Sequence, residues 1–152
     1  MSNGISYEAY LAQNGSMTYT NVGESMLPLL RQGRDLFTVK QKGPERCAVG
    51  DVVLYRREKK YVLHRVVEVR ENDYVILGDN CVNREHGISD ADILGVMTGY
   101  VRKGKTHSVS DRGYRLYSAI WLRTEKPRVF LIRTRAWLGR HLGRAASRKT
   151  EL

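Results

Sequence analysis

The chain has 152 residues, 41% of them apolar, and a net charge of +10. That is one domain's length with enough apolar side chains for a buried core, which excludes a disordered chain. No apolar run follows a basic start or approaches the roughly 20 residues that span a bilayer, so a signal peptide and a transmembrane anchor are not expected; Val129-Phe130-Leu131-Ile132 is the longest run of the tail.

Residues 6–13 (S-Y-E-A-Y-L-A-Q) predict a short helix capped by Ser6 and ended by Asn14-Gly15, with Tyr7, Tyr10 and Leu11 on one face. Met17 to Val22 alternates weakly as a strand. Asp35 to Gln41 is a strand with Val39 and either Leu36 or Phe37 inward, broken by Lys42-Gly43-Pro44. Gly50-Asp51 opens the buried strand Val52-Val53-Leu54-Tyr55. A charged turn, Arg56 to Lys60, leads into a return strand from Tyr61 to Val69, with Val62, His64, Val66 and Glu68 on one face. Tyr74-Val75-Ile76-Leu77 and Ile93 to Val101 complete the set. Short strands at regular spacing predict a mainly β sandwich or barrel-like body over residues 1–105.

Residues 106–152 read differently. Tyr114 to Arg123 places Leu116, Tyr117, Ile120 and Trp121 on one helical face, and Pro127 interrupts. From Arg128 to Arg144, Leu131, Leu138 and Leu142 lie opposite Arg133, Arg140 and Arg144. Residues 144–152 are expected to be disordered. Residues 1–101 hold 12 basic and 13 acidic side chains, whereas residues 102–152 hold 14 and 3. The whole excess charge therefore sits in the tail, which predicts an anionic partner surface. Residues 114–144 could reach a membrane with Trp121 and Trp137 at the interface; the plainer alternative is that Tyr114–Trp121 packs on the β body and the arginines form a solvated face, and nucleic acid is disfavoured because no helix-turn-helix or aromatic-basic sheet motif is present. The expected location is cytoplasmic, peripheral on the membrane.

Cys47 and Cys81 lack C-x-x-C spacing and read as reduced, small apolar residues, with a disulfide left open; the loose Cys81/His86 pair does not read as a metal site. Candidate chemistry centres on Ser25 in Gly23-Glu24-Ser25-Met26-Leu27-Pro28 and on His64 in a strand. A serine hydroxyl needs an adjacent base to attack at neutral pH, and imidazole titrates in the right range. Alone, each residue reads more simply: a turn serine and a satisfied strand histidine.

The ordered set G-E-S-M-L-P, Gly33-Arg34-Asp35, Gly50-Asp51-Val52-Val53, His64-Arg65-Val66-Val67 and Gly78-Asp79-Asn80 resembles the S24/S26 serine peptidase superfamily, which holds signal peptidase I and the LexA-type self-cleaving repressors. The likeness covers roughly residues 20–101. It implies a signal peptidase/LexA-like β fold, with Ser25 as nucleophile and His64 where bacterial signal peptidases carry a lysine, as in the endoplasmic-reticulum and archaeal type. It implies a third member at Glu85, with Asp79 the other candidate for orienting His64, and no cofactor. Asp35 and Asp51 read as structural turn residues. The oxyanion hole is expected to use the Ser25 N–H; Gly23 stands where many relatives carry a hydroxyl, which leaves the second donor open between Asn21 and Thr20. The expected activity is cleavage of a peptide or precursor protein bound as an added strand. The alternatives are a non-catalytic peptide-binding or membrane-surface adaptor on the same fold and a self-cleaving regulator.

Overall fold

A computed structural model describes residues 5–147, and the side chains as far as His141. Strand residues outnumber helical ones, 36% against 29%, so the protein is mainly β, with a short N-terminal helix and C-terminal helices. Helix α1 (Tyr7–Asn14) begins at Ser6, whose hydroxyl accepts from the Ala9 N–H at 3.2 Å, and ends at Gly15 with φ +72°. Its buried residue is Leu11; Tyr10 is exposed rather than sharing that face.

Eight antiparallel strands form one sheet in the order β1-β2-β7-β3-β4-β5-β6, with β8 beside the end of β7. They are β1 (Ser16–Thr20), β2 (Asp35–Gln41), β3 (Val52–Arg57), β4 (Lys60–Val69), β5 (Tyr74–Leu77), β6 (Glu85–Ile88), β7 (Ile93–Arg102) and β8 (Lys105–Ser108). Strand β2 buries Phe37 and Val39 and exposes Leu36. The hairpin β3–β4 closes with Arg57 opposite Lys60 and Glu58 at φ +55°. Alternation along that hairpin divides the core: Val52, Leu54 and Leu63 join Met26, Leu29, Leu30, Leu11 and Phe37 in one cluster. Val53, Tyr55 and Val66 join Tyr74, Ile76 and Ile93 in the other.

The 105/106 boundary falls inside β8, which pairs back onto β7 from Arg102 to Gly99. Beyond it, α2 (Arg112–Arg123) and α3 (Glu125–Ser147) follow with Thr124 between them, and Pro127 lies in the first turn of α3, where its missing N–H leaves no helical bond unmade. The face of α2 that meets the body runs through Tyr114, Tyr117, Ser118 and Trp121, while Leu116 and Ile120 are exposed. Helix α3 continues through residues 144–147, where disorder was expected; residues 148–152 lie outside the described ones. Among the described residues no helix is long and apolar enough to cross a membrane.

Candidate functional site

The turn carrying Ser25 leaves the end of β1 and is set by its apolar neighbours. Met26, Leu29 and Leu30 are buried beneath it and the Leu27–Pro28 peptide is cis. Upstream, Gly23 has φ +82° and donates its N–H to Gln32 Oε1 at 2.7 Å, and Asn21 Nδ2 donates to the Gly23 carbonyl. Downstream, Asp35 is buried and its carboxylate accepts from Arg34 and from the Arg31 N–H, closing the loop back into β2. Asp51 likewise accepts the Ala48 N–H at 2.8 Å. Both act as turn residues.

A second segment backs this turn from behind. The Asn80 N–H donates to the Ser25 carbonyl at 2.8 Å, and Asn80 Nδ2 donates to the Glu24 carbonyl at 3.2 Å. Gly78, two residues earlier, is tightly enclosed: a Cβ there would lie 2.8 Å from the Ser25 carbonyl oxygen, 2.9 Å from His64 Nε2 and 2.7 Å from Cys81 Sγ. Only glycine fits, and the serine turn and the histidine ring meet against this one Cα. The Ser25 N–H has no acceptor among the described residues.

His64 lies in β4 opposite Val53 and is 5% exposed. Its Nδ1 faces two oxygens, Tyr55 Oη at 3.2 Å and Glu85 Oε1 at 3.3 Å. Both can accept a proton carried on Nδ1, which favours that tautomer and leaves the Nε2 lone pair free; among the described residues no hydrogen bond joins it to the Ser25 hydroxyl. Burial pushes the His64 pKa below its ordinary 6.5; Glu85 pulls it back up and Arg57, which pairs with Glu85 at 2.8 Å, works with burial. The ring is therefore neutral at neutral pH. Burial, and then the charge of Glu85, push the Tyr55 hydroxyl far above its usual range, so it stays protonated.

Asp79 is placed elsewhere. Its carboxylate is 1% exposed and takes a bidentate pair from Arg65, 2.8 Å on each oxygen, with a third bond from Tyr117 Oη at 2.8 Å. Its backbone carbonyl accepts from Trp121 Nε1 at 2.9 Å and from Arg128. Arg65 is the largest fully buried side chain among the described residues, and it also reaches the Gly50 carbonyl and Ser118 Oγ. Asp79 thus joins the sheet to both C-terminal helices, and its contacts run to Arg65 rather than to the His64 ring.

Ser25, His64 and Glu85 line one cleft of about 670 Å³, together with Asn21, Leu63 and Ile132. It opens between two unpaired backbone edges. Strand β1 ends the sheet order, and β5 joins β4 only from Arg65 onward, so the Lys60–His64 stretch is bare on the side away from β3. Tyr7 of α1 bridges the rims, packing on Tyr19 and Tyr61 with centroids 5.1 and 4.6 Å apart. Thr20 lines the cleft as well; the Asn21 amide is engaged by Gly23. Cys47 and Cys81 are both free thiols, and no cluster of three His, Cys, Asp or Glu suited to a metal occurs among the described residues.

Tyr55 and Arg57, which flank Glu85 and the ring, were not singled out from the sequence. The hairpin held the signal: with Val53 opposite His64, Tyr55 falls on the histidine's face two pairs along. Neither a family model, nor a curated protein, nor a solved structure matches this chain.

Proposed function

We propose that this protein is a serine endopeptidase that cleaves an extended peptide or precursor protein. The observation that carries the reading is that Ser25, His64 and Glu85 line one open cleft, with the Ser25 carbonyl and His64 Nε2 both packed close to Gly78 beneath it and with Glu85 and Tyr55 behind the ring. In the proposed reaction Ser25 Oγ attacks the scissile carbonyl carbon while Nε2 takes its proton. The imidazolium so formed is stabilised by Glu85, and the Ser25 N–H donates to the developing oxyanion. Nε2 then returns the proton to the leaving amine, and water, deprotonated by the same nitrogen, releases the acyl group and restores the serine. The substrate lies as a strand between the bare edges at Thr20–Val22 and Lys60–Leu63.

The test is fluorophosphonate labelling together with turnover of quenched fluorescent peptides that carry small residues before the scissile bond. The wild type is expected to be labelled at Ser25 and to turn over. Ser25→Ala and His64→Ala should each lower the rate at least about a thousandfold with unchanged circular dichroism melts. Wild-type turnover in either variant overturns the mechanism. A second reading, a peptide-binding module without turnover, draws on Gly23 and on the Asn21 amide held by it, which leave the oxyanion one assigned donor. Peptide binding with neither labelling nor turnover would favour it.

A further inference from the structure

Helix α3 has two apolar faces, and the body uses one. Toward the sheet it turns Arg128, Val129 and Ile132, all half-buried, with Ile132 lining the cleft. On the outer side stand Phe130, Leu131, Trp137 and Leu138, exposed by 69, 60, 51 and 43%, with Phe130 and Arg133 also bordering a shallow groove against Val82–Arg84 and His86. The pairs 130/131 and 137/138 are seven residues apart, so they form one strip along two turns. Arg133 and Arg140, also seven apart, run along one flank of the strip and Arg135 lies on the other; all three are exposed and pair with no acid among the described residues. No acidic residue occurs between Lys126 and Ser147. A continuous strip of this kind on a folded surface is an interaction site.

We propose that α3 docks the protein flat on an anionic lipid surface, with the strip in the headgroup–acyl boundary and Arg133, Arg135 and Arg140 on lipid phosphates. The chemistry selects this occupant. A second copy laid on the strip would bring arginine rows of the same sign together. Nucleic acid would satisfy the arginines and leave Phe130, Leu131, Trp137 and Leu138 in water. A lipid interface satisfies both, since long basic side chains reach the phosphates while Trp and Leu enter the acyl boundary. The near-neutral body and the strongly basic last third match a layer that attracts only the tail. Ile132 lines the cleft from the face of α3 roughly opposite Phe130, so docking leaves the helix between the membrane and the cleft, with the cleft open to chains one helix diameter above the surface.

The experiment is co-sedimentation of the full-length protein with vesicles of phosphatidylcholine containing one-third phosphatidylglycerol, against phosphatidylcholine alone. Binding is expected to be at least about tenfold tighter to the anionic vesicles, to weaken in high salt and to shift Trp137 emission to the blue. The variant F130S/L131S/W137S should bind at least about tenfold more weakly, and R133E/R135E/R140E should lose the preference for anionic lipid. All six positions are exposed, so both variants should melt like the wild type, and a melt that differed would be followed by the single variants L131S and R140E. No binding by the wild type, or wild-type binding by the serine variant, overturns the proposal. So does a dimer that the serine variant dissolves, or duplex DNA held through the arginines without lipid binding. Ser25→Ala leaves vesicle binding unchanged, so this proposal and the peptidase reading fail separately.

Discussion

Burial and charge pull His64 in opposite directions, and burial prevails. Its pKa lies below 6.5, chiefly because the ring is desolvated, with Glu85 opposing. Under the proposed mechanism the acid limb of the kcat/KM profile therefore falls below pH 6.5, and its sign with respect to Glu85 is fixed. Glu85→Gln removes the charge that favours the imidazolium, so the His64 pKa drops further and the limb moves to lower pH, while the rate falls because the imidazolium formed in the reaction loses its partner. Tyr55→Phe leaves that charge in place, so the limb should stay where it is with a smaller loss of rate. A limb that moves upward in Glu85→Gln would contradict this account. That Ser25, His64 and Glu85 line one cleft was legible in advance because they fall in one ordered set of short motifs. The division of labour between Glu85 and Asp79 was not, since it depends on which side of β4 each loop closes: Glu85 enters through a strand pairing opposite Ile76, and Asp79 turns to Arg65 on the other face.

Strands β2 and β5 match their sequence patterns end to end, and β3, β4 and β7 do so within two residues, because each carries a dense apolar run bounded by turn residues. Strands β6 (E-H-G-I) and β8 (K-T-H-S) were invisible for the opposite reason. Neither has apolar alternation, and each exists only because a neighbour offers a free edge. Helix α2 was legible as a helix, and of the face read through Leu116, Tyr117, Ile120 and Trp121 only the two aromatic residues turn to the body. Aromatic hydroxyl and indole groups turn inward because the buried Arg65–Asp79 pair needs donors and acceptors that leucine and isoleucine lack. A layered stack results, with Arg65 over Tyr117 at 5.7 Å, Tyr117 on Trp121 at 5.0 Å and Arg128 over Trp121 at 4.6 Å. Tyr117→Phe should cost about 1.5–3 kcal/mol, the usual worth of a hydrogen bond to a charged partner, and lower Tm by several degrees. Asp79→Asn strands a buried guanidinium and should cost more, about 3–5 kcal/mol. By contrast, Arg70→Ala at the exposed pair with Glu68 should change Tm little. Equal melting of Tyr117→Phe and wild type would refute the clamp.

The order of the sheet was beyond local reading, since β7 inserts between β2 and β3 although it follows both by some forty residues or more. That long-range closure buries His64 and the carboxylates together, and the stability of the whole molecule inherits their protonation. His64 is held neutral in the folded state, with a pKa below the unfolded 6.5. The unfolded chain therefore binds the extra proton first, and stability drops as pH falls from 6.5 toward the folded value. Asp35 adds a later step. Burial alone would raise its pKa, but Arg34, the Arg31 N–H and Arg102 outweigh burial and hold it below the ordinary carboxylate range. Its contribution is present above that range and is lost as pH falls through the folded value. Acid unfolding should accordingly begin near pH 6.5 and steepen below about pH 4. His64→Gln keeps an amide able to meet Glu85 and Tyr55 and has no proton to gain. Urea midpoints measured between pH 7.5 and pH 3 should be flat for that variant down to the carboxylate region, while the wild type declines from about pH 6.5. Parallel declines in the two proteins above pH 5 would show that the buried histidine does not govern the first step.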